Sequence, residues 1–432
     1  MLRLLISALL LSLGLPLSLP RFHSITLTSK LPSTVAILSA ILSTPAVLQP
    51  SPSSNSPSST SSSPITCHAF HLKSSVVYLN TLPPSYFSPS YSDPIFASPT
   101  AIQPFLSPLP SFNFDADIAA TSLGCSDPYI SAIGIAVPDP RKVHSEIAAN
   151  IASTSVDAIL SPITTSTGTT PTTSFTVSYY TSESPVNLRF YSPPAPAPVS
   201  PLPLPPSTPI GFDHIVSNVP LMEPYLAAVA SWWPASTVGP LSTFASFTAA
   251  SVGTAKSGLN SIALHPLSTT LLLPINEPVN GTPVRSQINT FLQHNGGHTG
   301  IQHVALQCED VVSTVMHLRK SGVLFIERPN DQYYSDAFDS VHNKLTEEQQ
   351  RQIVEAGLLI DYETTPGSDD VGMLLQVFTR PLNDERPGLF FELIQRVGCG
   401  EGVVGCGGFG VGNFKRLFEA IEAMEREAIK IP

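Results

Sequence analysis

Between Gly211 and the C-terminus, apolar residues gather in short runs that are solid or alternate with polar ones: Phe212 to Val216, Leu259 to Leu264, Thr270 to Ile275, Gly300 to Gln307, Gly372 to Phe378 and Gly388 to Gln395. Runs of this length and period predict strands. Helical spacing replaces the period of two at Met222 to Trp232 and at Val311 to Lys320, where Val311, Val315 and Leu318 fall on one face. The tail from Asn413 to Ala428 predicts a further helix, with Phe414, Leu417, Phe418 and Ile421 on the i, i+3, i+4, i+7 rule and Asn413 at its N-cap. A strand, then a helix, then several strands, with the order repeated, predicts an α+β protein built of curved sheets.

The first half echoes the second. Arg21-Phe22-His23-Ser24-Ile25 opens it much as Gly211-Phe212-Asp213-His214-Ile215 opens the other, and Ser131 to Ile135 parallels Gln302 to Leu306. The same plan is therefore expected twice, in an N-terminal domain over 21–191 and a C-terminal domain over 210–432. Residues 192–209 are a proline-dense run expected to stay extended as a linker. Ser51 to Ser63 is nearly all Ser and Pro and reads as a surface loop. Residues 1–20 carry one Arg, a Leu-rich run and a Pro/Ser exit, the form of a signal or targeting segment, too short to span a membrane. That run leaves the compartment open between cytoplasm, plastid and a secretory route.

With 432 residues, each half is large enough to enclose a site. Charged residues are 12% of the chain, about half the usual share, and the formal net charge is -11 with no basic cluster. Nothing here would neutralise a run of phosphates, so a nucleic-acid partner is excluded in favour of small molecules. The five cysteines (Cys67, Cys125, Cys308, Cys399 and Cys406) are odd in number and widely spaced, which argues for buried apolar thiols rather than a disulfide framework.

Candidate chemistry lies on three of the predicted strands. His214 sits in Phe212 to Ile215, His303 in Ile301 to Val304 and Glu392 in Phe391 to Leu393, each about ninety residues from the next. Two imidazoles and one carboxylate make the facial triad that leaves three positions open on Fe(II), whereas a zinc hydrolase needs one. Either histidine alone fits a satisfied core residue equally well. Glu392 fits that reading poorly, because Phe390, Phe391, Leu393 and Ile394 surround a carboxylate that must be compensated if buried.

Several ordered motifs carry a family resemblance: Gly211 to His214, Ser257-Gly258-Leu259-Asn260-Ser261, Pro274-Ile275-Asn276-Glu277-Pro278, Ser286-Gln287-Ile288, Gln302-His303, Leu375-Gln376-Val377-Phe378, Phe391 to Gly398 and Gly407 to Phe414. The set resembles 4-hydroxyphenylpyruvate dioxygenases, strongly from about Gly211 to Ala428 and weakly before it. The resemblance implies the vicinal-oxygen-chelate fold, in which paired βαβββ modules form an open barrel, with one Fe(II) per chain held by His214, His303 and Glu392. Ser24 and Ala132 match the two histidines in the first half, so that half is expected to be metal-free.

By the same resemblance Gln302, Gln376, Asn276 and Ser261 serve catalysis, and Gln287, Pro274, Phe378, Phe390, Phe409, Asn413, Phe414 and Leu417 contact the substrate. Phe378 and Phe414 fit a core role as well. The implied reaction takes 4-hydroxyphenylpyruvate and O2 to homogentisate and CO2, in a dimer or tetramer, with the glycines from Gly405 to Gly412 hinging the last helix as a lid. A hydroxymandelate synthase, which uses the same substrate, is the nearest alternative; a binding protein that has lost catalysis is the other. The first half departs widely from the family, and the stretch between Cys399 and Cys406 is short.

Overall fold

The computed structural model describes residues 20–29, 33–43, 47–48, 66–81, 129–154, 156, 158–165, 173–178, 186–192, 204–248, 258–281, 285–340, 345–364, 371–382, 388–398, 404–406, 408 and 413. Residues 1–19, the Ser51 to Ser63 run, Phe409 and everything from Phe414 on, Leu417 included, lie outside them.

In the first half, β1 (Arg21–Ser29) is followed by α1 (Ser33–Ile41), β2 (Val47–Leu48), β3 (Thr66–His71) and β4 (Val76–Thr81). Then come β5 (Tyr129–Ala136), α2 (Pro140–Ser153), β6 (Ile159–Leu160), β7 (Thr164–Thr165), β8 (Thr173–Ser178) and β9 (Asn187–Tyr191). The second half repeats the order with β10 (Gly211–Asn218), α3 (Met222–Trp232), β11 (Leu241–Phe247), β12 (Leu259–Pro266) and β13 (Leu273–Pro278). After α4 (Gln287–His294) it continues through β14 (Gly300–Gln307), α5 (Val311–Lys320), α6 (Asp331–Ser340), α7 (Glu347–Ala356), β15 (Leu359–Thr364), β16 (Val371–Phe378) and β17 (Phe390–Val397).

Each half makes one mixed sheet, in the orders β2-β3-β4-β1-β5-β9-β8-β6, with β7 on β8, and β11-β12-β13-β10-β14-β17-β16-β15. The centre of each is an antiparallel pair, β1 with β5 and β10 with β14, flanked on both sides by a parallel neighbour. The duplication extends to the irregularities: the β1/β5 register slips between Phe22 and Ser24 and again between Thr26 and Leu27, as β10/β14 slips between Phe212 and His214 and between Val216 and Ser217. A slip that recurs at the same place in both copies belongs to the plan of the module.

Local signals set the elements. The α5 helix starts at Asp310, whose side chain accepts from the Ser313 N–H, and α7 at a Thr346/Gln349 capping box, ending on Gly357 at φ 72°. By contrast α3 has no side-chain cap of its own: Glu277, on β13, accepts from the Met222 N–H at 2.8 Å. One apolar core joins both halves, with Ile133, Phe175 and Phe190 of the first and Trp232, Val304 and Phe391 of the second in the same cluster. Asn150 on α2 donates to the Trp233 carbonyl at 3.1 Å, and Glu146 accepts from the Ser236 and Thr237 N–H groups at 2.7 and 2.9 Å. The end of the proline-dense run is packed rather than loose, because Thr208 is buried and donates to the Ser43 carbonyl at 3.0 Å. Cys308 is the free buried thiol expected, pushed up to about 12 by burial, whereas Cys406 departs from the expectation and is held in a disulfide.

Candidate metal centre

The three candidate ligands come from the three central strands of the second sheet. Register places His214 opposite Ala305 and Ala305 opposite Glu392, so these residues form one row across β10, β14 and β17. His303 lies two residues before Ala305 and therefore shares its face. Nitrogen and oxygen atoms of His214, His303 and Glu392 fall within 4.8 Å of one another, and no other such group of His, Cys, Asp or Glu occurs among the described residues. Both rings point Nε2 at the carboxylate, 3.2 Å and 3.5 Å from Glu392 Oε2. In the first sheet the equivalent register positions hold Ser24, Ala132 and Arg189.

Each imidazole is held from behind. His214 Nδ1 donates to Asp213 Oδ1 at 2.8 Å, and His303 Nδ1 to Gln302 Oε1 at 3.0 Å, which leaves both Nε2 atoms facing inward. The bulge between Phe212 and His214 lets neighbours in one strand meet this way. Gln302 is itself fixed by donating to Gln287 Oε1 at 3.0 Å. Phe390 stacks on the His303 ring at 4.8 Å between centroids, and Phe378 meets it edge-on at 6.0 Å.

Charge in the site is set by burial and by these contacts. For Glu392, burial opposes ionisation, but the two imidazoles outweigh it and hold the carboxyl below its usual range. Burial likewise works against a charged His214, yet Glu392 and Asp213 raise it to about 9. His303 is lowered, by burial first and by His214 in addition, although Glu392 opposes this. Asp213 is desolvated too, but Arg396 keeps it far below the carboxylate range.

The pocket in front of these groups is walled by Pro274, Phe378, Leu374, Ile394 and Val216, with Gln376 and Arg396 as its other polar members. Glu392 Oε1 is buried with no hydrogen-bond partner among the described residues. A buried carboxylate that turns Oε2 to two imidazole nitrogens and leaves Oε1 unpartnered, in an apolar enclosure, is a donor set suited to a divalent cation, so the residues fit a bound metal.

The other candidates separate into groups. Gln302, Gln287 and Phe390 stand behind His303. Ser261 and Asn276 are register partners on β12 and β13, both buried, and Asn276 donates to Asn218 Oδ1 at 3.2 Å. Ser261 Oγ, Asn276 Oδ1 and Asn218 Nδ2 have no partner among the described residues. Asn413 is buried, accepting from the Tyr333 hydroxyl at 3.0 Å. Three residues of the site escaped the sequence reading. Asn218 continues the row His214, Val216 at a period of two, which was a usable signal. Asp213 carried one as well, as an acid beside a candidate histidine ligand. Arg396 carried none, since its partners are distant in sequence.

Residues 243–343 match the model of the Glyoxalase/Bleomycin resistance protein/Dioxygenase superfamily. A mutant of 4-hydroxymandelate synthase from Streptomyces coelicolor superposes with a TM-score of 0.62 at 19% identity, covering 94% of this chain and 98% of that one. The fold is the vicinal-oxygen-chelate fold. Homologues in sequence include the 4-hydroxyphenylpyruvate dioxygenases of Arabidopsis thaliana, 45% identical over 227 residues (50% of this chain, 48% of that protein), and of Danio rerio, 37% identical over 230 residues (51% and 52%). The chain thus spans about half the length of the curated relatives it matches. In vicinal-oxygen-chelate terms, the second sheet carries the candidate metal-binding group and the first carries none among its described residues.

Proposed function

We propose that this chain is a non-haem Fe(II) dioxygenase that converts 4-hydroxyphenylpyruvate and O2 into homogentisate and CO2. The observation that carries the reading is the buried His214, His303 and Glu392 cluster, with Glu392 Oε1 unpartnered at the end of an apolar pocket. The sequence relatives supply the substrate. His214, His303 and Glu392 would hold Fe(II), which when bound would supply the redox chemistry with dioxygen and a 2-oxo acid.

The protein supplies binding and shape. Asp213 and Gln302 hold the two rings in one tautomer, so that both Nε2 atoms stay available. Pro274, Leu374, Phe378 and Ile394 keep water from the reacting face. Gln376 lines the same pocket, and Ser261, Asn276 and Asn218 offer unsatisfied polar atoms suited to the substrate's phenol or oxo-acid groups.

The test is to load the protein with Fe(II) anaerobically, add 4-hydroxyphenylpyruvate and air, and separate the products. Homogentisate as the main product is expected. Mostly 4-hydroxymandelate would place the chain with the hydroxymandelate synthases, and metal binding without oxygen uptake would make it a binding protein.

A further inference from the structure

Arg396 stands four residues beyond Glu392 on β17, and its guanidinium is committed in two directions at once. Towards β10 it forks onto Asp213, Nε donating to Oδ2 and Nη2 to Oδ1, each at 2.8 Å. Away from the strands, Nη1 donates to the carbonyls of Cys406 and Gly408, both at 2.7 Å. Four of the five guanidinium N–H groups are thereby used. The side chains are buried, with 8% of Arg396 and 7% of Asp213 exposed. Arg396 lines the pocket, but with its donors spent it is not a free cation for a substrate carboxylate.

We infer that Arg396 is a positioning residue that couples the order of the loop residues 404–406 and 408 to the orientation of the candidate metal ligand His214, acting through Asp213. This rests on the Fe(II) reading of the cluster and adds to it a link between the metal and the chain segment that follows β17. If the loop leaves, two buried donors lose their acceptors, and the guanidinium must turn towards other partners or water. Asp213 then loses its fork, and with it the geometry that presents Oδ1 to His214 Nδ1. In the other direction, a cation on His214 Nε2 strengthens the Nδ1–H bond to Asp213 and fixes the fork and the loop behind it. The coupling is reciprocal by linkage. Gly408 has φ +73°, where any other residue is strained, donates its N–H to the Gly405 carbonyl at 2.9 Å, and lies so close to Glu363 that a Cβ would displace that carboxylate.

Two independent perturbations test this, read by Co(II) affinity and by hydrogen exchange at the Gly408 amide, in the full-length protein without reductant so that the Cys406 disulfide persists. In the wild type, saturating Co(II) should slow Gly408 exchange about 5-fold or more. Arg396→Lys keeps a cation against Asp213, so no buried charge is orphaned, yet an ammonium cannot reproduce the fork and both carbonyl bonds. It should weaken Co(II) binding about 10- to 100-fold and abolish the metal's effect on Gly408 exchange at saturation. Gly408→Ala, which alters none of the three ligands, should also weaken Co(II) binding, by about 5-fold or more. Unchanged Co(II) affinity in both variants, or wild-type exchange indifferent to bound Co(II), overturns the coupling and leaves the metal reading standing. A wild-type protein that binds no Co(II) defeats the metal reading, and the coupling falls with it.

Discussion

At the scale of single residues, the site works by placing opposed demands on a few titratable groups. The charged form of His214 is favoured up to about pH 9 by Glu392 and Asp213 despite burial, and a metal can bind its Nε2 only after that proton leaves. Binding therefore releases a proton, and Co(II) affinity should rise by up to about tenfold per pH unit until about 9 and then level off. Calorimetric titration across that range checks it; a flat profile would contradict the arrangement. The sign for stability is the reverse. In the metal-free protein a raised His214 stabilises fully below its ordinary 6.5 and loses that contribution as pH climbs through about 9, so the melting temperature should fall over this window and bound metal should remove the fall. Asp213, held low, behaves oppositely: its contribution is present above about 3.9 and is lost on acidification. Replacing His303 with Ala leaves one ring and one carboxylate, and tight metal binding and turnover should disappear together.

At the scale of elements, the ends of helices and the slips between strands do the positioning. The α3 helix begins at Leu221, which offers no side-chain acceptor, and borrows Glu277 from a strand 55 positions later. Glu277→Ala should lower stability by about 1 kcal/mol, the usual worth of a lost cap, measured by denaturant midpoint. It should leave Co(II) affinity alone, since β13 reaches the pocket through Pro274 on its other face. Strand positions in the sequence reading were good where apolar runs were solid and drifted where they were not: the run Thr270 to Ile275 becomes β13 over Leu273–Pro278, because Thr269 and Leu271 take part in the preceding turn. The helices α4, α6 and α7 and the strands β11 and β15 have no counterpart in that reading, although the Thr346/Gln349 capping box marks the start of α7.

At the scale of the whole molecule, the two halves are versions of one plan joined by one core. Among the described residues only the second holds the candidate metal-binding group, since Ser24, Ala132 and Arg189 occupy the equivalent positions of the first. One metal per chain is therefore expected by elemental analysis of the reconstituted protein; two would require a second site. The two tryptophans, Trp232 and Trp233, are the only ones in the sequence, and both are buried where α2 and β5, β8 and β9 of the first half face α3. A fragment beginning near Thr208 should show red-shifted tryptophan emission and expose an apolar face to water. An unshifted spectrum would mean that the second half covers these rings unaided.

The sequence by itself determined much of this, and for a local reason. Strand period, the repeat of Phe212 to Ile215 with Phe22 to Ile25, and a carboxylate at Glu392 among four apolar neighbours are all written within a few residues of one another. The vicinal-oxygen-chelate fold was legible from such motifs together. What only the tertiary structure decided is anything that joins residues far apart in the chain. Asp213 and Arg396 are 183 positions apart and form the fork behind His214; Asn413 and Tyr333, 80 apart, share one hydrogen bond, as do Asn218 and Asn276, 58 apart. Such partners are chosen by strand register and sheet curvature, and a linear pattern holds the period of each strand but not which strand lies beside it, or at what offset.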